Sequence, residues 1–429
     1  MFEVLKNAFK TPDLKKKLLF TIFILFIFRL GAHIPAPFVN VGSLLAAMGD
    51  SSNFFGYFNM MSGGAFDQAT IFAMSITPYI NSSIIIQLLT VAIPALERLA
   101  KEGMEGRKTL NKITRYVTVA LALLQATGYY FLLRNYNSFD SAYTTGAAQY
   151  FVAVTVILTF TAGAALIMWL GEQINDKGIG NGISIILFAG IIARGPSAIK
   201  VLYENFMIGG VNYFLVPLAV VIFAVVIVFI VIMTNAERRI PVQYAKRVVG
   251  RKMYGGQSSF IPIKVSMSGV MPIIFASAFL SLPSTILLFY TPTQGTWQYS
   301  VLHALSTTGW VYCLFYFLLI IAFNYFYIAI QYNPVEIANG IKSNNGAIPG
   351  IRPGKPTVQY ISKVISKITL VGALFLGVIA VFPIFFEMFS DIRVSLGGTS
   401  IIILVGVALD TMRQMESQMT MRHHKGFLE

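Results

Sequence analysis

"FFGYFNMMSGGAFDQATIFAMSITPYINSSIIIQLLTVAIP", residues 54–94, is the stretch whose reading decides the fold. A short apolar prelude, 55–66, breaks at Gly63–Gly64, and a full apolar run with Pro78 inside it follows at 71–93. Crossing the hydrocarbon of a bilayer takes roughly 20 helical residues, so the run is long enough and the prelude is not. A lone strand in lipid would leave its backbone unpaired, so the run is predicted as a helix. The prelude is predicted as a short surface or re-entrant piece. Asn81, Ser82, Ser83 and Gln87 stand in the run beside Ile80, Ile84, Ile85 and Ile86. Polar residues at such positions either bond neighbouring helices or line a wet path.

Nine further runs lie around this one, at 18–34, 116–134, 148–170, 183–201, 213–233, 269–290, 311–330, 368–389 and 397–413. The last opens on glycines and is the weakest. Composition agrees: 56% of the 429 residues are hydrophobic and 12% charged, about half the roughly 25% usual in soluble domains. No small-residue cleavage site follows the first run, which reads as a span and not a removable leader. Cys313 is the single cysteine, inside an apolar run, so it forms no intrachain disulfide and reads as a small core residue.

Charge sets the orientation. With the N-terminus inside, the inner segments 1–17, 97–115, 172–180, 237–264, 336–367 and the tail from 410 hold 27 of the 32 Lys and Arg. The outer side keeps Arg134, Arg194, Lys200 and Arg393. That split follows the positive-inside rule and puts both termini in the cytoplasm. Arg29 lies within the first span, where it either snorkels outward or bonds inside the bundle.

Two inner segments carry more than a topology signal. The loop 237–264 mixes seven basic residues with Tyr244, Val248, Val249 and Tyr254. "NGAIPGIRPGKPTVQY", 345–360, holds three prolines, three glycines, one arginine and one lysine, and reads as a shaped, non-helical tip. Two basic projections on one face suit a large partner, either an acidic protein surface or RNA phosphate.

The interior argues against several functions. Glu172, Glu237, Glu387 and Asp410 flank spans instead of occupying mid-membrane, unlike the proton relays of pumps. His33, His303, His423 and His424 form no HExxH, and no Ser–His pair is suggested. "GIGNG" at 178–182 lacks the strand and lysine of a phosphate loop and reads as a helix-entry turn. No cofactor or metal is implied. A secondary transporter of a neutral or amphipathic solute, built on inverted repeats, remains the alternative: it accounts for ten spans and the broken second one, but not for the basic projections.

"MSGGAF", "TPYINSSIIIQLLT", "GIGNGISIILFAGI", "RRIPVQYAKR", "NPVEIANGIKSNNGAIPGIRPG" and "GGTSIIILVGVALD" occur in this order, and together they resemble the SecY family, central subunits of the bacterial protein-conducting channel. The resemblance implies an all-α membrane protein of ten transmembrane helices. They form two five-helix inverted pseudo-repeats, 1–205 and 206–429, around an hourglass pore. It implies a plug at 55–67, with Phe58, Met60, Met61, Gly63, Gly64 and Phe66 among its residues. A pore ring maps to Ile80, Ile84, Leu187, Ile191 and Ile274, with Ala408 at the span-10 position and Leu404 one turn away. A lateral gate between spans 2–3 and 7–8 would include Ser83, Gln87 and Gln125. Docking of the SecA motor or the ribosome falls to Arg247, Arg251, Arg352 and Lys355. The implied function is to pass unfolded secretory polypeptides across the bacterial cytoplasmic membrane and to release transmembrane segments sideways into lipid. The implied partners are the small subunits SecE and SecG, SecA, the ribosome, signal sequences and nascent chains.

Overall fold

The computed structural model describes residues 6, 8–48, 59, 61–139, 146–208, 212–244, 247–249, 252–254, 258–287, 296–297, 309–390 and 398–425. Chain order begins with helices α1 (Pro12–Gly31), α2 (Val41–Met48), α3 (Thr77–Ala92), α4 (Pro94–Lys101), α5 (Met104–Asn135), α6 (Ala147–Lys177), α7 (Gly182–Ala193), α8 (Gly195–Ile208) and α9 (Asn212–Asn235). Strands β1 (Glu237–Tyr244), β2 (Arg247–Val249), β3 (Lys252–Tyr254) and β4 (Ser258–Lys264) come next. Then follow α10 (Met271–Leu280), α11 (Leu282–Leu287), α12 (Trp310–Gln331), α13 (Pro334–Ser343), β5 (Gly346–Ala347), α14 (Lys355–Ser390) and α15 (Gly398–Lys425).

Each of the ten predicted spans falls on a helix or a helix pair. Among the described residues, six segments are long and apolar enough to cross a membrane alone: α5, α6, α7 continued by α8, α9, α12 and α14. A seventh is the pair α3–α4, bent by 102°. The others fall short for local reasons. Lys15, Lys16 and Lys17 stand in α1, α10 and α11 are two short pieces, and α15 carries Asp410 and Arg413. The lipid-facing reading holds best for α9, where Phe214, Val225, Val228 and Ile232 are all exposed.

The second span starts later than its hydropathy predicts. Residues 71–76 are turns, and Ala69 and Ser75 both have positive φ, so the helix begins only at Thr77 with Pro78 in its first turn. The turn segment is closely packed. Phe72 stacks on Phe28 at 6.0 Å, and a Cβ on Gly31 would lie 2.1 Å from the Phe72 ring. Only glycine leaves room there.

The loop 237–264 is a sheet. β1 pairs antiparallel with β4 from Glu237↔Lys264 to Gln243↔Ser258, and β2 pairs with β3 beyond it. On its other edge β1 takes β5, Gln243↔Ala347 and Tyr244↔Gly346, which ties the two basic projections together. Ile240, Val242 and Ile263 turn inward onto Ile341, Ile348, Ile361 and Ile365 in one apolar core. Ile240 and Val242, two residues apart on β1, share the face that one covered side dictates. One expectation is corrected: residues 355–360 are not part of a non-helical tip. Lys355 and Pro356 open α14, since a proline in the first turn loses no hydrogen bond.

Contacts at the two ends of the bundle are segregated. At one end Ala8 and Leu14 pack with Ile179 and Met415, and Lys17 Nζ donates to Gln418 Oε1 at 3.3 Å. Arg413 Nη2 of α15 donates to Thr234 O at 2.8 Å and to Asn235 Oδ1 at 2.7 Å of α9. Arg115 and Glu172 pair at 2.6 Å. At the other end Ala36 N donates to Ala69 O, Ile71 N to Ile34 O, and Asn40 N to Ser138 O. Each contact joins segments that the charge split assigns to the same side.

Candidate functional site

Five residues of the expected ring share one apolar cluster: Ile80, Ile84, Leu187, Ile191 and Ile274, each at most 7% exposed. They arrive from α3, α7 and α10. Leu404 of α15 packs against the same cluster, whereas Ala408 is half-buried and stands outside it. Met61 joins the cluster from the plug side. From the opposite side an open cavity of about 620 Å³ reaches Ile274. Asn181, Ser184, Lys264, Asp410 and Arg413 line it together with Ile261, Met267, Val270 and Val407, so the cavity is mixed in character while the cluster is aliphatic.

Of the plug residues, Phe58 and Met60 lie outside the described residues. Asn59, Met61 and Ser62 are helical, and Gly63 and Gly64 turn the chain with φ of +66° and +93°. Behind the turn the segment is anchored. Ser62 Oγ accepts from Phe66 N at 3.0 Å, and Tyr129 OH donates to Phe66 O. The Phe66 ring lies 4.5 Å from that of Tyr129, which meets Phe160 at 5.0 Å. Asn59 Nδ2 donates to Asp67, whose carboxyl burial raises above its ordinary value while the nearby Arg194 charge opposes the rise.

Around the expected gate, Ser82 Oγ meets Thr118 Oγ1 at 2.7 Å and links α3 to α5. Gln87 Nε2 donates to Ser83 Oγ at 3.3 Å, one turn along the same face. Gln125 is buried, and its Oε1 has no hydrogen-bond partner among the described residues. On the far side of the gate, Asn324 of α12 accepts from Ser268 Oγ and donates to Thr369 O at 3.0 Å. Sequence reasoning missed that triad. An asparagine in an apolar run was its one signal.

Of the docking residues, Arg352 and Lys355 are exposed. Gly350 and Gly354, at φ +78° and +109°, bracket Arg352, and Thr357 Oγ1 donates to the Arg352 carbonyl at 2.9 Å. Arg247 heads β2, opposite Tyr254. Arg251 lies outside the described residues.

A profile of the SecY family matches residues 70–412. The protein translocase subunit SecY of Streptomyces scabiei is 44% identical over the whole of both chains, and that of Mycobacterium bovis 42% identical, also over both whole chains. The solved structure of a protein conducting channel shares the fold over 94% of this chain and 92% of that one, with TM-score 0.65 and 18% identity. Sec61 in a canine ribosome–channel complex from the endoplasmic reticulum shares it with TM-score 0.61 and 16% identity, over 94% and 92%. On its sequence and its fold alike, this chain belongs to the SecY family of protein translocase subunits.

Proposed function

We propose that the chain is the passive, central pore of a translocon in the bacterial cytoplasmic membrane, with both termini inside and a SecA ATPase or a ribosome supplying the energy. A multi-pass membrane protein of this family conducts polypeptides; the residue roles below are our reading. The observation that carries it is the aliphatic cluster that lies between Met61 and the open cavity at Ile274. A channel for any sequence gains nothing from specific hydrogen bonds, which would select among its passengers. A ring of methyl groups offers a moving chain no partner, and it excludes water when closed because apolar constrictions dewet. Ile80, Ile84, Leu187, Ile191 and Ile274 form that ring, with Leu404 in place of Ala408 as the contribution of α15.

Segments 55–67 act as the plug, and Ser83, Gln87 and Gln125 belong to a gate that opens between α3 and α10. Once the gate parts, partition decides the outcome. On the insertion scale each leucine-like residue contributes roughly −0.3 to −0.6 kcal/mol and a central charge costs about +2.5 to +3.5 kcal/mol, so apolar segments leave for lipid. The halves 1–205 and 206–429 part about the link between α8 and α9. SecE and SecG are the membrane partners. Arg352, Lys355, Arg247 and Arg251 receive SecA or the ribosome. The transporter alternative finds no support among the named relatives, which are translocase subunits and channels.

The test of function is SecA-dependent import of a secretory precursor into vesicles carrying this chain with its small partners; failure of a well-assembled complex to import would reject the reading. The topology has its own check. Single cysteines at Ser258 and Asn345, in a Cys313→Ser background, should resist an impermeant thiol reagent added outside intact cells. Labelling at either position would invert the assignment.

A further inference from the structure

Gly63 lies where three parts of the chain meet. A Cβ built on it would stand 2.9 Å from Gly190 O, 3.0 Å from Gly190 Cα and 3.3 Å from Arg29 Nη1. Seen from α7, a Cβ on Gly190 would lie 3.3 Å from Met61 O and 3.6 Å from Gly63 N. The two backbones touch with no side chain between them. The Met61 carbonyl is held separately, by Ser75 Oγ at 2.9 Å in a buried hydrogen bond. Arg29 Nη1 is itself buried, without a hydrogen-bond partner among the described residues. One end of the half-buried guanidinium is therefore turned inward over the plug's bend.

We propose that Gly190, Ser75 and Arg29 form the seat that holds the plug in its closed position. The proposal rests on the reading of 55–67 as a plug and adds what it closes against. Gly190 precedes Ile191 of the ring, so the seat and the neck are adjacent on one helix, and a plug resting on Gly190 covers the neck directly. A backbone-to-backbone contact has no interlocking side chains to disentangle. Release then requires one hydrogen bond and one guanidinium contact to part and the unbranched Met61 side chain to slide out of the cluster, which suits a stopper that must leave and return with every passenger. A side chain on Gly190 would fill the space the plug occupies, and loss of Arg29 would uncover the bend from the other side.

The readout is resting ion conductance of proteoliposomes holding the channel with its small partners. Four full-length forms are compared, wild type, Gly190→Ala, Gly190→Val and Arg29→Ala, together with a variant lacking residues 55–63, alone and combined with Gly190→Val. The deletion keeps Phe66 and its anchor on Tyr129. Gly190→Val and Arg29→Ala are expected to leak at more than half the level of the deletion, and Gly190→Ala less. Gly190→Val should add nothing to the deletion, because the seat is then already empty. Full-length variants as tight as wild type beside a leaking deletion overturn the seat and leave the plug reading intact. A deletion as tight as wild type overturns both. Extra leak from Gly190→Val in the deletion background places its effect in the spans, and overturns the seat as well.

Discussion

Arg352→Glu is expected to stop SecA-driven translocation while the protein folds and assembles as before. Arg352 is exposed, so its replacement disturbs no packing, and surface changes of this kind usually move stability by less than about 0.5 kcal/mol. The position is nonetheless fixed. Gly350 and Gly354 turn the chain on either side, Thr357 caps the Arg352 carbonyl, and β5 pins the base of the tip to β1. An arginine held this way presents a planar fork to a carboxylate or phosphate. Reversal turns that attraction into repulsion. Losing a desolvated charge pair at an interface costs roughly 2–5 kcal/mol, a drop in docking of about 30-fold to several thousand-fold. Import of a precursor into vesicles at saturating ATP measures it. Arg247→Glu should be milder, because other basic residues of the hairpin can substitute. An Arg352→Glu channel that imports at the wild-type rate would move the motor's seat elsewhere.

The second large effect belongs to the neck. Ile84 and Ile274 come from α3 and α10, share one cluster and are 7% and 4% exposed. Replacing both by Asn keeps the number of side-chain heavy atoms and puts donors and acceptors where methyl groups were. Water then stays in the neck, and the dewetting barrier falls. The closed state also loses ground to the open one, since an unpaired buried amide costs on the order of 1–3 kcal/mol. Two results are expected together: ion leak through the resting channel, and import of precursors with weakened signal sequences. If the two isoleucines were only packing between helices, the double variant would misassemble and be degraded. A stable double variant with neither leak nor relaxed selection would remove both from the pore.

Most of the membrane part could be read directly from the chain, because burial in lipid imposes one requirement on every residue of a span. That Ile80, Ile84, Leu187, Ile191 and Ile274 come together could be expected through the motif "TPYINSSIIIQLLT" and its partners on α7 and α10. Other features resisted for identifiable reasons. The start of α3 was set too early because Ala69 and Ser75 take positive φ without being glycine, in a segment whose Phe72 packs against Gly31. The sheet was hidden because β1 has just two strictly inward residues, Ile240 and Val242, and its partners lie beyond a basic turn or in a distant loop. At 355–360 the breaker reading of Pro356 won over its equally common place in the first turn of a helix. Arg29, Ser75 and Gly190 belong to separate segments, and no local pattern announces that they converge on the bend at Met61–Gly63. At span 10, Leu404 and Ala408 are one turn apart, a distinction that only packing resolves.

The clasp between the chain's two ends bears on how the molecule is made. Leu14 and Lys17 emerge long before their partners Met415 and Gln418, since Lys17 and Gln418 lie 401 positions apart. α15 also brings Leu404 to the cluster of Ile80, Ile84, Leu187, Ile191 and Ile274, and Arg413 to the end of α9. A growing chain therefore holds three walls of that cluster, from α3, α7 and α10, before it holds the fourth. On the pore reading proposed above, the neck closes only once residues 398–425 are in place and the early and late segments are stitched together.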